Sequence, residues 1–259
     1  MDARPIPDPT ADLDADVVVA GSGAAGLCAA LAAADAGLDV LVLEASPLLG
    51  GSTALSEGMV WVPMSEEAVA LGLDDTADDA VRYLLEASGG QADPERARAY
   101  VAAAPAMLSF VQRASPLRFR LNRRSMDYYP DRPGARVGMR AHNPLPFDAR
   151  VMPRTLFARL RPPLEPMTLF GGMSVASQDL PAFMAAGRSP KAAARVATLV
   201  LAHGRDRLSG WPRGPRVANG GSIVACLVHA LAARRVRLLP DAPIAALERP
   251  AGRVTGVRL

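Results

Sequence analysis

The chain has 259 residues, of which 50% are hydrophobic and 21% charged, and a net charge of +3. That apolar content supports a packed core, in one large domain or two small ones, and excludes a mainly disordered chain. Aromatic residues at 5% and charges of both signs interspersed along the chain give no base-stacking platform and no dominant basic face, so no nucleic-acid partner is expected.

Residues 1–14 are acidic and Pro-rich and are read as a disordered lead. They lack the basic-then-apolar pattern of a secretory signal. No apolar run reaches the roughly 18 residues that would suggest a membrane-spanning helix. Asp16 to Ala20 is a β-branched run, read as a buried strand. It leads into Gly21-Ser22-Gly23-Ala24-Ala25-Gly26, which has G-x-G-x-x-G spacing. Leu27 to Ala36 is Ala- and Leu-rich and reads as a helix, with Gly37 placed to end it. Val40 to Leu43 reads as a second strand, with Glu44 at its C-terminal end.

Each part of this β-α-β unit has a physical task. Gly21 permits the tight turn out of the strand, Gly23 lets the backbone approach a pyrophosphate, and Gly26 lets the helix pack closely on the sheet. The helix N-terminus offers free N–H groups to phosphates. Glu44 follows Gly21 by about 20 residues, the spacing of a carboxylate that grips a ribose hydroxyl. The alternative is an Ala/Gly-rich helix with only a packing role. An acid at position 44 argues for a free 2′-hydroxyl and against NADP, which leaves FAD and NAD. A second Gly/Ser/Thr loop, from Ser46 through Gly50-Gly51-Ser52-Thr53 to Ser56 and Gly58, arrives where an NAD unit usually continues into another helix. It favours FAD over the alternative of a flexible surface loop.

Further along, Asp93-Pro94-Glu95 opens a helix with an N-cap, Pro in the first turn and an early acid. Amphipathic stretches at Asp75 to Ser88 and Lys191 to His203 are read as facing the core. Tyr128 and Tyr129 lie in a Pro- and Arg-rich loop, where a tyrosine usually packs its ring and exposes its hydroxyl. His142 reads as a surface-loop histidine. No His, Cys, Asp or Glu grouping has metal-ligand spacing, so no metal is expected. Cys28 and Cys226 sit in small apolar runs and read as buried thiols. They suit a reducing compartment and, with no secretory signal, a cytoplasmic chain.

Val17 to Ser46, followed by Gly50 to Pro63, resembles the flavoprotein family of fumarate reductase and succinate dehydrogenase. Within that family it is most similar to the 3-ketosteroid dehydrogenases. Gly50 to Thr53 and Trp61-Val62-Pro63 carry that closer likeness, since the dicarboxylate enzymes tend to have Asn before Ser. Glu57 departs from the pattern, which usually has a small residue there. The resemblance implies an α/β fold: a Rossmann-like FAD-binding domain of the glutathione-reductase type, with a mostly helical insert. Residues 15–62 would form the β-α-β unit and flavin loop, 63–215 the insert, and 216–259 the return to the nucleotide domain, with a third parallel strand and a small hairpin.

The resemblance assigns the cofactor to Gly21, Ser22, Gly23, Ala24, Ala25 and Gly26, to Glu44, Ala45 and Ser46, and to Gly50, Gly51, Ser52, Thr53, Ser56 and Gly58. Pro243 and Ile244 would meet the adenine. Tyr128 would line a steroid cavity and help a second tyrosine act as base. The implied reaction is FAD-linked dehydrogenation of a carbon–carbon bond next to a ketone, on a small lipophilic substrate such as a 3-ketosteroid. The family's proteins are about twice as long, so the chain reads as a partial one that ends within a hairpin and lacks the catalytic domain and a C-terminal flavin segment. Alternatives are a fumarate-reductase-like enzyme for another substrate, a non-catalytic FAD-binding remnant, and an NAD module. Peripheral membrane contact and oligomeric state are left open.

Overall fold

The computed structural model describes residues 12–259. It divides into two units, one made of the chain up to Gly58 together with Pro146–Leu259, the other of Met59–Leu145. The first unit opens with β1 (Val17–Ala20), α1 (Ala24–Asp35) and β2 (Val40–Leu43). β1 and β2 run parallel, with Val17 opposite Val40 and Ala20 opposite Leu43. Parallel neighbours need a crossover, and α1 supplies it. Leu27, Ala30 and Leu31 form its buried face. Gly37, at φ +85°, turns the chain out of the helix, as expected. All four residues of β2 are buried, as befits a central strand.

The second unit contains β3 (Val60–Trp61), α2 (Glu66–Ala70), α3 (Ala77–Ala87), α4 (Pro94–Ala114), β4 (Phe119–Leu121) and β5 (Ala141–Pro144). β5 lies between β3 and β4, antiparallel to both. Val62, Ala104 and Leu108 form a core cluster, with Val60 and Phe119 packed on it. The Asp93 carboxylate caps α4 by accepting from the Glu95 amide at 2.8 Å. The buried Ala80 and Tyr83 of α3 bear out the core-facing reading of that stretch.

The chain then returns to the first unit with β6 (Phe147–Asp148), α5 (Arg154–Ala158), β7 (Thr168–Leu169), β8 (Met173–Ser174), α6 (Leu180–Ala185), α7 (Pro190–Leu208) and β9 (Arg216–Val217). It ends with α8 (Asn219–Ala233), β10 (Arg237–Leu239), β11 (Ala246–Glu248) and β12 (Gly256–Arg258). β10 is the third parallel strand, with Leu239 opposite Leu43 of β2, and β11 and β12 form the antiparallel hairpin. α8 is buried along nearly its whole length and packs on α1.

Three expectations change. The stretch 63–215 is not one insert: residues from Pro146 onward belong with the nucleotide unit, because β6 pairs with β9 and Leu160 bridges to Leu49. The stretch Lys191 to His203 does not bury an apolar face. In α7 the buried side chains are His203 and Asp206, while Leu201 is 73% exposed. Of the expected lead, residues 1–11 lie outside the described residues, and Leu13 packs against the cluster of Leu41, Leu43, Leu239 and Ala242. Among the described residues no helix is long and apolar enough to cross a membrane.

Candidate functional site

The turn from β1 into α1 is built as its glycines require. Gly21 has φ +92°, a conformation that side chains rarely adopt, and its amide donates to Leu43 O at 2.7 Å. Gly26 faces the Gly21 carbonyl so closely that a Cβ there would sit 2.1 Å from the oxygen. The protein's own packing therefore demands glycine at 26. Position 23 is different. Gly23 caps α1 at φ −70° and ψ 175°, which any residue can adopt, and a Cβ there would meet only Thr53 Oγ1, at 3.7 Å. No packing in the protein requires glycine at 23. The missing side chain keeps open the space before the helix N-terminus, where the first amides have no partner within the helix. An anionic group fits there.

Behind this turn Ser22 is fully buried and acts as a hub. Its amide and hydroxyl both donate to Glu44 Oε2, at 2.9 and 2.5 Å, and its hydroxyl accepts from the Gly50 amide at 2.8 Å. One side chain thus ties the first glycine turn to the acid and to the second loop. Glu44 Oε1 accepts from the Ser46 amide at 3.0 Å. That single bond leaves the oxygen with a free lone pair for a hydroxyl donor. Burial pushes the Glu44 carboxyl up. The hydrogen bonds from Ser22 and Ser46 and the charge of Arg161 outweigh it and hold the group below its ordinary 4.5. Loop 240–242 closes over the same spot, with Ala242 N donating to Glu44 O and Asp241 N to Ser46 O.

The second loop is pressed into place. Thr53 opens a short 3-10 turn, and its hydroxyl accepts from the Ala24 amide at 3.0 Å. Gly51 lies against Gly23, since a Cβ on it would be 3.6 Å from Gly23 Cα. Ser56 is occupied within the loop, donating to Thr53 O and accepting from Gly58 N. The amide of Gly220, in the first turn of α8, donates to Ser56 O at 3.0 Å. A Cβ on Gly220 would fall 1.8 Å from Thr53 O. The loop is therefore a packed element rather than a flexible surface loop.

The remaining expected residues divide. Ala25, Ala45 and Ser52 are exposed along this cradle, and Ala24 is half-buried. Pro243 is exposed, while Ile244 packs on the cluster of Leu41, Leu43, Leu239 and Ala242. Glu57 is exposed and makes no hydrogen bond or ion pair with the described residues, so its carboxylate is left in water. Cys226 is buried and Cys28 only partly so, and the two form no disulfide with the described residues.

Tyr128 belongs to the second unit, and the residues on either side of it are pinned. The Asp127 carboxylate accepts from Trp61 Nε1 at 2.7 Å, Arg136 N at 2.9 Å and Arg140 Nη1 at 2.8 Å. The Tyr129 amide donates to Tyr83 Oη at 3.1 Å. Arg140, wholly buried, also pairs with Asp75 and lies over the Trp61 and Tyr83 rings. The Tyr128 ring meets the edge of the Tyr129 ring, with centroids 5.8 Å apart, and the residue is 87% exposed. His142 corrects the sequence reading. It is buried in β5, with Nδ1 2.9 Å from Arg140 O and Nε2 2.8 Å from Ser65 Oγ, and burial holds its pKa below the ordinary value. Sequence reasoning gave no role to Arg140, Arg161 or Gly220, whose partners lie far away in the chain.

A family model described as an FAD-binding domain matches residues 16–259. The chain is 36% identical over 242 residues to a 3-oxosteroid 1-dehydrogenase of Mycolicibacterium smegmatis, covering 93% of this chain and 42% of that protein. It is 33% identical to a 4-oxocyclohex-2-ene-1-carboxylate 5-dehydrogenase of Sinomonas cyclohexanicum, covering 93% of this chain and 40% of that protein. The crystal structure of the 3-ketosteroid delta1-dehydrogenase from Sterolibacterium denitrificans superimposes with a TM-score of 0.84 at 32% identity, covering 94% of this chain and 43% of the other. The chain therefore spans about two fifths of the length of these relatives. It belongs to the FAD-binding domain family, with FAD as its cofactor and 3-oxosteroid 1-dehydrogenases among its relatives.

Proposed function

We propose that the chain forms the FAD-binding part of an oxidoreductase that dehydrogenates a carbon–carbon bond next to the ketone of a 3-ketosteroid. The observation that supports this is a cradle in which no packing within the protein requires glycine at 23, in a chain similar along nearly its whole length to steroid dehydrogenases. The arrangement is Rossmann-like, of the glutathione-reductase type. Amides at the start of α1 would hold the pyrophosphate, Glu44 a ribose hydroxyl, and the loop from Gly50 to Gly58 the remainder of the cofactor. FAD, when bound, supplies the acceptor for the two hydrogens removed. Tyr128, with its hydroxyl exposed and its neighbours pinned, would support the base that takes the proton next to the ketone.

A second reading is favoured by the likeness to the oxocyclohexene carboxylate dehydrogenase: a smaller cyclic ketone that carries a carboxylate. The test takes the whole oxidoreductase that contains this FAD-binding part, since the chain alone is expected to turn over no steroid, and mixes it, FAD-loaded and without oxygen, with a 3-ketosteroid or with an oxocyclohexane carboxylate. Bleaching of the flavin band by the steroid supports the first reading, and bleaching by the carboxylate alone supports the second. Tyr128→Phe should slow the bleaching while the fold stays intact, because an exposed side chain contributes within about 0.5 kcal/mol of stability. Parent-like bleaching in Tyr128→Phe removes that residue from the reaction.

A further inference from the structure

Arg161 stands beside the Glu44 cradle, near enough for its charge to act on the carboxylate, with most of its donors unused. A strap at 159–161 runs along the segment after Ser46: Leu49 N donates to Arg159 O and Arg161 N to Leu49 O, both at 2.8 Å. This carries the Arg161 guanidinium over Ser46, where Nη2 donates to Ser46 Oγ at 2.8 Å. A guanidinium has five donors, and here one is used. Nε is buried without a partner. In the same unit Arg150 is matched with Asp206, Arg216 with Asp179 and Arg159 with Asp241, whereas Arg154 and Arg213 donate to backbone carbonyls. Arg161 forms no ion pair with a described residue. It is a part-buried cation, short of acceptors, bonded to Ser46, which lies two residues along from the acid assigned to the ribose.

We propose that Arg161 is a cofactor-contact residue, donating its unused N–H groups to acceptor atoms on the ADP half of FAD. The proposal rests on the assignment of FAD to the Glu44 cradle. The ADP half is the part that meets Glu44, and it carries the phosphates, the groups a planar cationic fork recognises best. The fork also approaches from outside the glycine turn, on a strap distant in sequence, so it adds a charged contact that the backbone amides cannot provide.

The test titrates FAD, and separately ADP, into the full chain and into Arg161→Met, followed by intrinsic fluorescence, and melts both proteins without ligand. Arg161→Met should bind both ligands about 10- to 100-fold more weakly, the worth of a hydrogen bond to a charged group. Its ligand-free melting point should stay within about 4 °C of the parent. Arg161→Lys keeps the charge without the fork, so it should recover part of the affinity at low salt and little at high salt. Parent-like affinity of Arg161→Met for ADP and FAD would overturn the proposal. So would weaker binding accompanied by a large fall in ligand-free melting, which would make Arg161 a brace for the loop. If the parent binds neither ligand, the FAD assignment fails and the role of Arg161 fails with it.

Discussion

Gly23→Ala and Gly26→Ala look alike in sequence, and the structure separates them. At position 26 an added Cβ would sit 2.1 Å from Gly21 O and 3.3 Å from Val19 Cγ1. Carbon contacts are comfortable at about 3.5 Å, so α1 must retreat from β1 by more than an ångström. Overpacking against fixed backbone costs about 3 kcal/mol. Alanine returns about 1 kcal/mol of helix propensity. The net loss of about 2 kcal/mol lowers the melting point by about 4–8 °C for a chain of this size. At position 23 the nearest atom is 3.7 Å away and the backbone angles suit alanine. The ligand-free chain should therefore hold its stability or gain about 0.4–1 kcal/mol, because alanine narrows the unfolded ensemble. FAD should nonetheless bind about 100-fold more weakly, a loss of about 2.8 kcal/mol, because the methyl group occupies the pyrophosphate path. Ligand-free melting curves and FAD titrations of the two variants supply both readouts. Parent affinity for FAD in Gly23→Ala, or parent stability in Gly26→Ala, would refute the reasoning.

Gly220→Ala should displace the 53–58 loop, because its Cβ would lie 1.8 Å from Thr53 O and 2.6 Å from Ser56 Oγ. Flavin content should fall although residue 220 belongs to neither glycine motif, and unchanged flavin content would show that the loop yields without cost. Glu44 sets an acid limit. Its folded pKa lies below the ordinary 4.5, so its stabilisation is complete above that value and fades as pH falls through the folded pKa. Urea midpoints of the parent and Glu44→Gln should therefore differ by a constant amount near neutrality and converge in acid. A gap that widens in acid reverses the sign. Arg140→Met strands two buried carboxylates, Asp75 and Asp127, and should destabilise the second unit by about 3–5 kcal/mol. Protease cleavage within 127–137 should rise with it, and a urea midpoint equal to the parent's would show the network to be dispensable.

What the sequence revealed and what it hid follow from the range of the interactions. The β1-α1-β2 unit was legible because its glycines, β-branched runs and terminal acid act over short spacings, and each element formed close to its expected place. The third strand and the hairpin were expected from the family likeness rather than from a local pattern. The unit boundaries were not legible, because the pairing of Phe147 with Val217 and the bridge from Leu49 to Leu160 leave no local pattern. His142 was misread for a related reason. Its neighbours suggested a loop, but Ser65, far along the chain, supplies the hydroxyl that satisfies a buried ring nitrogen. The face of α7 was misread because alanine-rich periodicity does not distinguish a core helix from one whose buried positions are a paired Asp206 and a bonded His203. Within the site, the glycines and Glu44 announced themselves, while Ser22 became a hub only once the second loop had folded back onto it.

The most direct test of the account is the identity of the nucleotide held by the purified chain. The protein is isolated, its absorbance recorded, and the ligand released by denaturation and identified by chromatography. The account predicts a yellow protein that releases FAD at close to one molecule per chain, or a colourless one that takes up added FAD to that ratio. A chain that releases NAD, or that stays colourless and takes up no FAD while folded, would contradict it.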